Sequence, residues 1–154
     1  MSRVVVNEIE AKVGSDISFN DTVKIDTLKG KAAAGSITVQ GEGTATTNLQ
    51  QGLCKHWISV NMSTAAVNDS FNAGSITDNG TGDFTNTITN PMTNAHYANT
   101  IGSLYVAAWG QIAFFRTNTA RTTALYRTGS VNYHNNGNAT DSTQFDTSID
   151  GDLA

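Results

Sequence analysis

The side chains able to do chemistry are few and scattered. Histidines stand at 56, 96 and 134, and the single cysteine is Cys54. Neither a CxxC pair nor an HxxxH pair occurs, so the spacings that bring two metal ligands together are missing. The sequence therefore predicts no metal site and no cofactor. Serine is abundant, yet no Gly-x-Ser-x-Gly elbow presents one as a nucleophile. The loop Asp78-Asn79-Gly80-Thr81-Gly82-Asp83 carries two carboxylates, but the alternating acids and closing glutamate of a calcium loop are absent. It is expected to be a tight hairpin in which Asp and Asn bond their own backbone. Asp141, Asp146, Asp150 and Asp152 read as solvated turns of a polar tail rather than the paired acid and base of a glycosidase. No catalytic residue emerges, and an enzyme is not expected.

Binding chemistry has more to work with. Phe114 and Phe115 are adjacent and must point to opposite faces of a strand, so one of them needs a partner surface. Tyr105, Trp109 and Phe115 are the candidate exposed rings for stacking on a glycan; covering by a subunit interface is the plainer reading. In Leu53-Cys54-Lys55-His56-Trp57-Ile58, Cys54 reads as a buried small hydrophobe and His56 as a surface imidazole opposite Trp57.

The elements that must position these residues are strands. Thr, Asn and Ser together supply about a third of the chain, and such side chains compete with the backbone for hydrogen bonds, which favours turns and strand surfaces. Only 14% of the 154 residues are charged, and the formal net charge is −4. Helical bundles are excluded by the first fact. A phosphate-neutralising surface, and with it a nucleic-acid partner, is excluded by the second. One cysteine cannot staple the chain to itself, and no apolar run approaches membrane-spanning length. Arg3 is followed only by Val4-Val5-Val6 before polar residues, so no export signal is expected and synthesis in the cytoplasm is.

From Ile9 to Ile25 the odd positions are mostly apolar and the even ones mostly polar, the period of strands with one buried face. Such a ribbon has almost nothing to bury that face against, and single ribbons are marginal in water. Three copies around a threefold axis would solve the problem by turning Ile9, Val13, Ile17, Phe19, Val23 and Ile25 toward one another. The expectation is a homotrimeric β arm over residues 1–40.

Residues 41–52 read as a connector, with Asn48 to Gly52 forming one helical turn. Residues 53–154 then carry recurrent strand signals: Lys55 to Val60, the flanks of the Asp78–Asp83 hairpin, Ile101 to Trp109, Gln111 to Arg116, Thr122 to Thr128, Ser130 to Tyr133 and Thr143 to Ile149. Asn68-Asp69-Ser70 is expected to be a turn. About seven or eight strands make an all-β unit, a small antiparallel, jelly-roll-like β-sandwich.

Several stretches together resemble tail-fibre and virion-appendage structural proteins of marine bacteriophages: Asp21-Thr22-Val23-Lys24-Ile25-Asp26-Thr27-Leu28, the run from Ala45 to Trp57, Asn68-Asp69-Ser70-Phe71-Asn72, Ser75 to Phe84, and Gly151-Asp152-Leu153-Ala154. The resemblance implies a non-enzymatic virion component, trimeric, with an N-terminal part that attaches to capsid or tail proteins and a C-terminal knob. It carries no catalytic or metal residues. A tail or head fibre component leads, a capsid decoration protein is the alternative, and a carbohydrate-binding module is a second one. Copy number per particle separates the first two.

Overall fold

A computed structural model describes residues 22–29, 37–40, 44–104, 110–116, 121–133 and 136–153. A small antiparallel pair, β1 (Thr38–Gln40) with β2 (Thr46–Asn48), leads into the single helical turn α1 (Leu49–Gly52). The Leu49 amide donates to the Ile37 carbonyl at 2.9 Å and ties that turn to the start of the pair. The expected connector thus carries the expected helical turn, together with half of a hairpin begun at Thr38.

The chain then builds two four-stranded antiparallel sheets. Strands β3 (Cys54–Asn61), β4 (Ala66–Phe71), β7 (Ala98–Leu104) and β10 (Gln144–Asp150) form one, in the order β4-β3-β10-β7. Strands β5 (Ala73–Gly80), β6 (Asp83–Ile88), β8 (Gln111–Phe115) and β9 (Leu125–Asn132) form the other, in the order β5-β6-β9-β8. The protein is an all-β sandwich, and eight strands in two layers meet the jelly-roll-like expectation in number and layering. No helix among the described residues is long and apolar enough to cross a membrane.

Alternation along β3, β6 and β10 fills the interior. Ile58, Val60, Met62, Phe84 and Phe145 make one buried cluster; Ile88, Met92, Tyr97, Tyr126 and Ile149 make a second. Both draw on both sheets, so neither sheet is stable without the other.

Two local readings change. Asn68-Asp69-Ser70 lies inside β4 instead of turning: Asp69 pairs with Ser59 and Val67 with Val60, which leaves Asn68 as the extra residue of a bulge. The corner falls one step later, at Asn72, which adopts φ 56. Asn tolerates this left-handed conformation better than most residues, and here its side chain adds bonds that hold it. The segments expected around Thr122–Thr128 and Ser130–Tyr133 are one continuous strand, β9, passing straight through Gly129.

Gly129 is there because its outer face is occupied. A Cβ at this position would lie 2.8 Å from both the Phe114 ring and Arg116 Nε. The hairpin Gly82 is more constrained still, with φ +63 and the backbone of Ser130 and Thr140 in the space a Cβ would take. Gly82→Ala and Gly129→Ala should each lower unfolding stability by about 1–3 kcal/mol, through strain and overpacking respectively. Urea denaturation with an unchanged m-value is the check.

Candidate functional site

The Asp78–Asp83 segment forms the expected hairpin between β5 and β6. Asp78 Oδ1 accepts from the Gly80 amide at 2.8 Å, while Asn79 Nδ2 donates to Thr85 Oγ1 at 2.9 Å. Asp83 receives two bonds of 2.6 Å from Arg127 and a long one of 3.5 Å from Asn79 of the loop. Arg116 lies 3.2 Å from the same carboxylate, with Nε placed for charge contact more than for an aligned bond. Burial works to raise the Asp83 pKa, but the Arg127 bonds and the charges of both arginines outweigh it and hold the carboxyl below its ordinary value. The cluster is a triad of one carboxylate and two arginines, and among the described residues no group of three His, Cys, Asp or Glu could hold a metal ion.

His56 contradicts its expected surface position. It is fully buried, on the inner face with Ile58 and Val60, while Trp57 takes the outer face. Its Nδ1 lies 3.2 Å from the Asn72 carbonyl, an acceptor only, so Nδ1 carries the hydrogen and Nε2 is the acceptor. The Tyr126 hydroxyl therefore donates to Nε2 at 2.7 Å and in turn receives the Thr147 hydroxyl at 2.5 Å. Burial pushes the His56 pKa down, offset in part by the Asn72 bond, and pushes Tyr126 up. His56 and Thr147 belong to one sheet and Tyr126 to the other, so this chain of bonds fastens the two layers. All three residues are buried, which makes the array a structural bolt closed to substrate.

Cys54 also departs from expectation: it is exposed, with Sγ donating to the His56 carbonyl at 3.2 Å. The extra residue of a bulge at Lys55 displaces it, since His56 opposes Ile149 while Cys54 opposes Asp150. Phe115 is half-buried at the core edge, its ring 6.1 Å from Tyr126, so it is not the free stacking surface expected. Phe114 takes the outer face and finds its partner within the chain, the Arg116 guanidinium at 5.5 Å. Asp146 and Asp150 sit in β10 and not in a tail, and Asp141 accepts from the Gly82 amide at 2.7 Å. Val23 and Ile25 lie in a stretch, 22–29, with no strand assigned and are exposed. Ile9, Val13, Ile17, Phe19, Tyr105, Trp109 and His134 lie outside the described residues.

The sequence reading missed a groove on the outer face of the β4-β3-β10-β7 sheet. It encloses about 460 Å³ and is lined by Trp57, Ser59, Thr100, Gly102, Gln144 and Asp146 among others. Register explains the grouping. Trp57 opposes Phe71 on one side and Ser148 on the other; one pleat along, Ser59 opposes Asp69 and Asp146, and Asp146 opposes Gly102. A smaller cleft of about 280 Å³ is lined by Asn94, His96, Asp150 and Asp152.

No protein-family model, curated protein or solved structure matches this chain.

The bolt generates two expectations. Tyr126→Phe strands His56 Nε2 and Thr147 in the interior and should cost about 1–3 kcal/mol in urea denaturation. Because the folded pKa of His56 lies below the unfolded value of 6.5, the unfolded chain binds more protons in the interval between them. The His56 contribution is therefore full above pH 6.5 and declines as pH falls toward the depressed folded value. A denaturation series from pH 8 to 5 should show stability decreasing on the acid side.

Proposed function

We propose that this chain is a non-enzymatic structural protein of a phage virion. In this reading it is a homotrimeric tail or head fibre component whose N-terminal arm docks on the particle and whose sandwich is the outward knob. One observation carries the assembly part of the reading. Val23, Ile25 and Leu28 are 48%, 60% and 57% exposed along a stretch with no strand pairing among the described residues, whereas the sandwich fills its interior with its own residues. Apolar side chains left uncovered upstream of a completed domain are material for assembly. The phage assignment itself rests on the resemblance in sequence.

Static light scattering on the purified full chain tests the proposal. At micromolar concentration the expected mass is that of three 16.3 kDa chains. Replacing both Val23→Asp and Ile25→Asp should reduce it to one, by placing charge where the copies meet, with the thermal transition of the sandwich retained. A wild-type mass of one chain would overturn the proposal.

A further inference from the structure

We infer that the groove on the outer face of the β4-β3-β10-β7 sheet is a binding site for an uncharged oligosaccharide. This goes beyond the structural role and stands whatever the oligomeric state. The first support is the pairing of surface types. Half-buried Trp57 presents an indole beside the groove, and Phe71, opposite it in register, is 52% exposed. Around them the lining combines apolar surface at Ile58 and Ile101 with the hydroxyl, amide and carboxylate groups of Ser59, Thr100, Gln144 and Asp146. A purely apolar ligand would strip water from those polar groups without replacing its bonds. A sugar ring has an apolar face to lay on an indole and hydroxyls at its rim to meet the rest.

The second support is a carboxylate and an amide side by side in the lining. Half-buried Asp146 receives the Gln144 amide on Oδ2 at 2.9 Å, and its Oδ1 is buried without a hydrogen-bond partner among the described residues. Oδ2 keeps a lone pair for a ligand hydroxyl, and Gln144 stands beside it as an amide that both donates and accepts.

Space and charge narrow the ligand. At Gly102 a Cβ would meet nothing within 4 Å, so the glycine leaves open room directly across from Asp146. A volume of about 460 Å³ falls in the range of small-molecule sites. Among the described residues no Lys or Arg lines the groove, and Asp69 stands across Ser59 from Asp146. That field disfavours sialylated, sulfated or uronic sugars and leaves neutral hexose or N-acetylhexosamine chains.

Isothermal titration calorimetry on the full chain tests the site, using neutral trisaccharides of glucose, galactose, mannose and N-acetylglucosamine, with trigalacturonic acid as the anionic comparator. Saturable binding of at least one neutral trisaccharide is expected, with trigalacturonic acid at least tenfold weaker. Gly102→Val fills the open space across from Asp146 and should lower affinity at least tenfold at an unchanged melting temperature. Trp57→Ala should do the same. Absence of saturable binding by every neutral trisaccharide at 20 mM would overturn the inference. So would full affinity in folded Gly102→Val, or equal affinity for trigalacturonic acid. The scattering mass plays no part in this result, so the two proposals fail separately.

Discussion

The Tyr126 hydroxyl, held between His56 of one sheet and Thr147, is the contact on which the rest of the sandwich depends. It requires a neutral imidazole with its hydrogen on Nδ1, and that hydrogen is directed at the Asn72 carbonyl. Asn72 is also the corner at which the chain leaves β4 for β5. Its amide donates to the carbonyls of Lys55 and Asn90 at 2.9 and 3.1 Å, and its Oδ1 accepts from the Asn90 amide at 2.7 Å. The bolt and the corner are therefore one connected device. With His56 fixed inward, Ile58 and Val60 must follow it into the core, and Trp57, Ser59 and Asn61 must face out. A one-residue slip of β3 would bury the indole and expose the aliphatic row. The composition of the outer groove is thus a consequence of an interior hydrogen bond.

Much of this was legible in the residues, and the errors have a common origin. The two-layer architecture, the Asp78–Asp83 hairpin and the turn ending at Gly52 follow from local chemistry that tertiary packing left undisturbed. The sequence expectation puts His56 on the surface, with its alternation against Trp57 correct. The deciding signal lies in the pattern, since His56 shares its parity with Ile58 and Val60 while Trp57 shares it with Ser59 and Asn61. The polar residue type points the other way, and a buried partner for imidazole, Tyr126, lies 70 residues away in sequence. The groove was hidden for the same reason. Trp57, Asp146 and Gly102 come from three strands, and only register puts them on one face. Asn68-Asp69-Ser70 has turn composition, but the pairing of β3 with β4 absorbed it as a bulge.

The excess of Thr, Asn and Ser acquires a physical role in this arrangement. Inside, Asn86 donates to Thr128 at 3.1 Å and Ser130 to the Thr140 carbonyl, so short polar side chains are buried in satisfied pairs. Outside, the same residue types line a groove whose direct bonding capacity is only partly used. A chain with 38% hydrophobic residues can fill one thin sandwich and little else. That economy makes the exposed Val23, Ile25 and Leu28 conspicuous: they belong to neither core cluster, and the cover proposed for them is copies of the same chain.

Backbone hydrogen exchange over residues 22–29, followed as the protein is diluted, probes that cover most directly. An arm buried between three copies should exchange slowly at high concentration and lose its protection on dilution, while β3 and β10 stay protected throughout. Exchange at the rate of a free peptide at every concentration would contradict the account.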